Sequence, residues 1–204
     1  MWLGCNRKWN SLSMAKVNLP TSTTLMTKRL LLRYPKLDDA VQISFVVKSP
    51  QFPEQLPLKE MRTENEIRDW IRRLHDGWET GRVFSWIAED RDSRIMLGQL
   101  TLSKLEGDNL WAMAFWIHPD HWSQGYATEG AERVLAFGFE VIGAKKIWAG
   151  AGEWNAGSCR VLEKTGMNFI GKNPQGYISK GEPIITREYE ITREDWENRL
   201  REIG

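Results

Sequence analysis

Cysteine and histidine are scarce in this chain, with two of the first and three of the second in 204 residues. The cysteines, Cys5 and Cys159, lie far apart and suggest no disulfide framework, so a reducing cytoplasm is the expected compartment. One histidine pair, His118-x-x-His121 with Asp120 between, has a ligand-like spacing. Pro119 makes that segment a turn rather than a helix face, and no third ligand completes it, so no metal is expected. An excess of either charge is also lacking. Lys and Arg total 28 against 27 Asp and Glu, a net charge of +1, which gives no electrostatic case for nucleic acid or an anionic membrane. Nowhere does an apolar run approach the roughly 20 residues that span a bilayer. Two nucleotide signatures are missing as well. No G-x-G-x-x-G is present and no Gly-Lys-Ser/Thr follows a glycine-rich run, which excludes Rossmann and Walker readings.

What the chain does have in quantity is tryptophan, eleven in all, best explained by core and pocket-wall packing. The length suits one domain with a substantial core. Residues 1–24 mix Trp2, Leu3 and Trp9 with polar and basic residues, contain no apolar block like a signal-peptide core, and read as a mobile extension. The domain proper is expected over 25–204.

Within it, Leu25 to Arg33 alternates as a first strand. Asp38 and Asp39 open a helix over Ala40 to Val47, and Pro50, Pro53 and Pro57 make the next segment a loop. Thr63 followed by Glu66 is a capping box for a helix with the apolar stripe Ile67, Trp70, Ile71, Leu74 and Trp78. Val83 to Glu89, Ile95 to Ser103 and Leu110 to His118 read as an antiparallel meander. Gly125 to Ile142 is the strongest helix, stopped by Gly143; Lys146 to Gly150 is a short strand; Asn155 caps a helix that Gly166 stops. Met167 to Gly171, a Pro/Gly-rich turn, the strand Ile184 to Ile191 and a helix flanked by Thr192 and Asp195 close the chain. The expected class is α+β, a mixed layer of helices over a sheet.

The most informative stretch is Phe115-Trp116-Ile117-His118-Pro119-Asp120-His121-Trp122-Ser123-Gln124-Gly125-Tyr126-Ala127-Thr128-Glu129. A strand ends at a Pro turn, and a loop of small and polar residues opens a helix. Such a step aligns unpaired amides at the positive end of a helix dipole, where a phosphate is held without a lysine. Gly125 lets the main chain approach the anion, and Ala127 keeps bulk away. The segment reads as a pyrophosphate cradle for a nucleotide-bearing cofactor; on its own, an ordinary strand-to-helix turn with one glycine fits equally well.

Taken with the element order, four stretches make the chain resemble the GNAT superfamily of N-acetyltransferases, with most likeness to the branch of RimJ/RimL-type ribosomal-protein N-terminal acetyltransferases. They are Thr27 to Arg33, Phe115 to Pro119, Trp122 to Glu129, and Asn155 to Met167, and the likeness spans about Thr24 to Tyr189. The resemblance implies a mostly antiparallel sheet in which two parallel strands, Leu110 to His118 and Lys146 to Gly150, splay apart to take the pantetheine arm of acetyl-CoA. It implies that the amides around Gln124, Gly125, Tyr126, Ala127 and Thr128 bind the pyrophosphate. It also implies that the edge at Trp116, Ile117 and His118 pairs with the pantetheine, and that Asn155 and Ser158 complete the cofactor site. Trp122 stands where the general family pattern has Arg or Gln.

The implied chemistry is direct acetyl transfer to a primary amine. A peptide or protein N-terminus is favoured over a polyamine, amino acid or aminoglycoside, with a homodimer as an option. The amide near Ile117 would hold the oxyanion. Leu162 replaces the tyrosine many superfamily members use as acid, leaving Ser158 as acid or proton relay. Cys159 reads as a small core residue rather than a nucleophile. Ala112 replaces the glutamate that relatives in this branch often carry as base. His118, His121 and Glu153 are the substitutes, and a non-catalytic acyl-CoA-binding module is the alternative.

Overall fold

A computed structural model describes residues 17–203 of the chain. The first sixteen residues, which include Cys5, Trp2 and Trp9, lie outside the described residues. Packing begins ahead of Leu25: Val17 and Leu19 rest against the main core, and the Trp78 indole donates to the Leu19 carbonyl at 3.0 Å.

Among the described residues eight strands form one sheet in the order β1-β2-β3-β4-β5-β6-β8-β7. The expected first strand is split into β1 (Leu25–Met26) and β2 (Leu30–Arg33), joined by a turn closed by the Thr27 amide on the Leu30 carbonyl. The meander follows as β3 (Val83–Asp90), β4 (Met96–Lys104) and β5 (Leu110–Ile117), antiparallel throughout. β6 (Lys146–Gly152) runs parallel to β5, and the two pair only from Leu110 to Ala112 against Lys146 to Trp148. Beyond Ala112 the strands part. This is the expected GNAT architecture, with five α-helices among the described residues: α1 (Asp39–Lys48), α2 (Glu64–Glu79), α3 (Tyr126–Glu140), α4 (Ala156–Lys164) and α5 (Arg193–Ile203).

The tail differs from its sequence reading. In place of two short strands around a turn, β7 (Asn168–Ser179) and β8 (Glu182–Thr192) form one long hairpin. Pro174 and Gly176 fall inside β7, where the pairing register shifts between Asn173 and Tyr177. β7 is an edge strand, so a residue without an N–H deprives no neighbour of a hydrogen bond, and the shift absorbs the bend.

Period-2 alternation on the central strands builds two cores. Phe84, Trp86 and Ala88 of β3 point into the larger one with Leu100, Leu102, Trp111, Val134, Leu135 and Phe137. Ile87 and Trp116 point to the other face and meet the apolar stripes of α1 and α2. The α3 helix lies so close to the sheet that a Cβ at Gly138 would come within 2.6 Å of Ile147. The start of α1 is fixed by a buried ion cluster. Arg33 donates to both Asp39 carboxylate oxygens at 2.9 and 2.6 Å and to Glu89, whose second oxygen lies 2.8 Å from Arg94. Burial by itself would lower the Arg33 pKa, but the two carboxylates more than reverse that and raise it, so the guanidinium stays charged. The capping box of α2 forms in both directions between Thr63 and Glu66, as its sequence predicts.

Candidate acetyl-CoA site

A cavity of about 740 Å³ opens where β5 and β6 part. Its walls come from four places: the Pro-rich segment (Gln51, Phe52, Pro53, Leu56), the end of β5 (Phe115, Trp116, Ile117), the loop into α3, and α4 with the turn before it.

The loop is built to present amides. Ser123 and Gly125 both have left-handed backbone, with φ of 60° and 84°. A non-glycine residue held there stores strain, and it persists because the surroundings fix it. The first helical hydrogen bond of α3 runs from the Glu129 amide to the Gly125 carbonyl at 3.0 Å. The amides of Tyr126, Ala127 and Thr128 therefore have no helical acceptor and lie at the positive end of a fifteen-residue helix. A Cβ at Gly125 would meet only the Arg29 guanidinium, at 3.3 Å. What glycine supplies here is the φ value and room for an anion.

Contacts of Glu129, Arg29 and Trp122 that the sequence did not reveal hold the loop in this shape. Glu129 accepts from the Arg29 amide at 2.8 Å, from Arg29 Nε at 2.7 Å and from the Thr27 hydroxyl. Burial alone would raise the Glu129 carboxyl, but these bonds outweigh it and hold it below the ordinary glutamate value. Arg29 also reaches the Gln124 carbonyl at 2.9 Å and lies over the Tyr126 ring, 4.3 Å from its centroid. The Trp122 indole donates to the Ile117 carbonyl at 2.7 Å and ties the loop to the end of β5. Thr27, Arg29 and Glu129 all lie in stretches that carried the family likeness, but a side chain about a hundred positions away is not visible as a partner in one sequence.

On β5 the alternation decides what faces the gap. The His118 amide bonds to the Leu97 carbonyl on the β4 side at 2.7 Å, so the amides of Ile117 and Phe115 face away from β4, toward the opening. The Trp116 side chain does not: its indole donates at 2.8 Å to Gln99, which donates at 2.6 Å to Ser85 in a buried polar chain on the opposite face. The Trp116 ring thus fixes the strand while its backbone belongs to the site.

On the α4 side, Asn155 accepts the Ser158 amide at 3.0 Å, the cap its sequence position predicts. The Ser158 hydroxyl makes no hydrogen bond with any other described residue and lies on the cavity wall. Cys159 and Leu162 are core residues. Tyr189 is fully buried between Arg187 and Glu163, and burial, with Cys159 and Glu163 adding to it, pushes its hydroxyl up to about 12.

Of the residues read from the sequence, Trp116, Ile117, Gly125, Tyr126, Ala127, Thr128, Asn155 and Ser158 all meet at this cavity. Gln124 and His118 do not line it. The Gln124 side chain bonds back to the Asp120 carbonyl at 3.2 Å. The His118 ring caps the short turn Pro119–His121, its Nδ1 accepting the Asp120 amide at 3.1 Å. A neutral His118 with that nitrogen engaged carries its proton on Nε2 and has no free lone pair. Of the other substitutes for a base, Glu153 is paired with Lys172, and His121 lines the wall. Ala112 is buried opposite Ser103 and beside Trp148.

The family model described as Acetyltransferase (GNAT) domain matches residues 29–168. The chain belongs to the GNAT acetyltransferases. It is similar to the uncharacterized N-acetyltransferase YoaA of Bacillus subtilis, 27% identical over 170 residues that cover 83% of this chain and 96% of that protein. Among solved structures it is similar in fold to Mycobacterium smegmatis RimJ in complex with CoA-disulfide, with a TM-score of 0.77 at 19% identity over 90% of this chain and 95% of that one. A chimera of the spermidine N-acetyltransferase SpeG from Vibrio cholerae and hSSAT gives a TM-score of 0.71 at 19% identity, over 84% and 100%. This GNAT chain is an acetyl-CoA-dependent acetyltransferase. Among its described residues no group of three or more His, Cys, Asp or Glu is arranged to hold a metal, and no helix is long and apolar enough to cross a membrane.

Proposed function

We propose that the acceptor is an α-amino group, that of a peptide or protein N-terminus, as in the RimJ/RimL branch. The observation that supports this best is that no Asp or Glu lines the cavity among the described residues. The one substitute base on the described wall, His121, is an imidazole and a far weaker base than an alkylamine, so the amine must arrive neutral. At pH 7.4 an α-amine of pKa about 7.7–8.0 is roughly a quarter neutral, whereas an alkylamine near 10.4 is only about a thousandth neutral. A wall without a carboxylate selects the first by some two orders of magnitude.

In this reading the Pro-rich segment from Pro50 to Pro57 and α2 form the acceptor side, and their glutamates point the same way. Glu54 is paired with Lys59 and Lys180, Glu60 accepts the Lys180 amide, Glu64 pairs with Arg68, and Glu66 serves the capping box. These carboxylates are already engaged, which disfavours a polycation.

In this reading the amides of Gln124 to Thr128 hold the pyrophosphate, and Asn155 with the exposed edge of β5 holds the pantetheine, which carries the acetyl thioester. The Ile117 amide faces the gap and stabilises negative charge developing on the thioester oxygen. The Ser158 hydroxyl accepts the proton from the attacking nitrogen and gives its own to the departing sulfur. One proton thus moves from nitrogen to sulfur, the C–N bond replaces the C–S bond, and no external base is consumed.

Free-thiol release over a panel of peptides and spermidine, followed against pH, tests this. Peptide turnover is expected to rise with pH and level off near the pKa of the peptide amine, with spermidine at least about a hundredfold slower at pH 7.4. Spermidine turned over as fast as peptides would overturn the acceptor assignment. Acetyl-CoA binding with no thiol release on any amine would favour a non-catalytic acyl-CoA-binding module.

A further inference from the structure

Two cations line the cavity with nothing to neutralise them. Arg160 and Lys164 sit one turn apart on α4, and with Gly157 and Val161 they form the helix face turned to the cavity. Neither makes a hydrogen bond or ion pair with any described residue. The nearby carboxylates are committed elsewhere. Glu163, three residues from Arg160, accepts the Tyr189 hydroxyl at 3.0 Å and pairs with Arg187 on the far side of α4. Glu153, ahead of the helix, is held by Lys172. Two uncompensated positive charges on the wall of a binding cavity call for an anion in the ligand.

Position along α4 indicates which anion. At ~1.5 Å per residue, Arg160 and Lys164 lie about 7.5 and 13.5 Å past Asn155 along the helix, and they share the cavity wall with Tyr126, Ala127 and Thr128 at the start of α3. The pyrophosphate is provided for by the amides at the start of α3, and the pantetheine leaves it toward the gap between β5 and β6. The adenosine leaves the pyrophosphate from its other end, away from the pantetheine, and carries a phosphomonoester of charge about −1.5 to −2, for which these two cations are the wall's unneutralised partners. We propose that Arg160 and Lys164 form a second anion subsite that binds the 3′-phosphate of coenzyme A. This rests on the acetyl-CoA reading of the cavity and adds to it a discrimination between coenzyme A and nucleotides lacking that phosphate.

Calorimetry with coenzyme A and 3′-dephospho-coenzyme A tests the subsite. The wild type is expected to bind coenzyme A about ten- to a hundredfold more tightly, the range of a charge-assisted hydrogen bond. A variant carrying Arg160→Ala and Lys164→Ala should lose that preference while keeping its affinity for the dephospho form, and Arg160→Lys with Lys164 intact should keep most of it. Both residues are exposed on the helix surface, so a folded variant is expected, and circular dichroism checks this. Equal affinities in the wild type would overturn the subsite while leaving the cavity assignment standing. A variant weakened equally toward both ligands would also overturn it. Binding of neither ligand by the wild type would remove the acetyl-CoA reading and the subsite with it.

Discussion

Ser158 is the residue on which the proposed chemistry turns, because its hydroxyl is unengaged and on the wall. Ser158→Ala should lower kcat by about a hundredfold while leaving the KM for acetyl-CoA within about threefold, since the amide that Asn155 caps is unchanged. A KM rise with kcat intact would assign the serine to binding. The loop makes the opposite split. Arg29→Ala should raise the KM for acetyl-CoA by about tenfold or more and leave kcat nearly alone, with Arg29→Lys recovering part of the loss. Glu129 adds a pH dependence. Its carboxyl is held below its ordinary 4.5, so its contribution to loop order is complete above that value and is lost as pH falls through the lower, folded value. Acetyl-CoA affinity in the wild type should therefore fall on acidification below pH 4.5, and Glu129→Gln should flatten that fall. These roles differ in how far one sequence shows them. Gly125, Asn155 and Ser158 are legible because their function is local: a left-handed residue, a cap and a helix-face hydroxyl. Arg29 and Trp122 are not, because each acts through a carbonyl or carboxylate that only the fold brings near.

At the level of elements, the helices were the most readable. Their stripes, caps and stop glycines are local signals, and the Thr63 and Glu66 box forms in both directions. The tail hairpin was not readable. Pro174 and Gly176 punctuate like a turn, and only the edge position of β7 makes them tolerable. The cluster of Arg33, Asp39, Glu89 and Arg94 was also invisible, since its members come from β2, α1, β3 and the turn after β3. It leads to a large stability effect. Arg33→Met leaves two buried carboxylates without their shared cation and should cost about 3–5 kcal/mol in a urea titration. Thr63→Ala, by contrast, removes one exposed cap and should cost about 1 kcal/mol.

Across the whole molecule the proposed acceptor side is assembled from distant parts of the chain. Lys180, at the tip of the β7 and β8 hairpin, bonds to Glu54 at 2.7 Å with its side chain and to Glu60 at 2.9 Å with its amide, fastening the tip to the Pro-rich segment that supplies Gln51, Phe52, Pro53 and Leu56 of the wall. Lys180→Met should thus change the KM for the acceptor and leave that for acetyl-CoA unaltered, a pattern steady-state kinetics with each substrate varied would resolve. Most residues expected at the cofactor end meet at one cavity because local backbone geometry places them, whereas loops and long-range ion pairs shape the proposed acceptor end and leave no such local signal. Everything rests on the cradle at the start of α3. Its most direct test is calorimetric binding of acetyl-CoA to the wild type and to Gly125→Glu, whose added side chain brings a strained φ and a negative charge to the anion's place. Binding by the wild type and its loss in a variant that still unfolds cooperatively is the predicted result; equal binding by both, or none by the wild type, would contradict the assignment of this cavity.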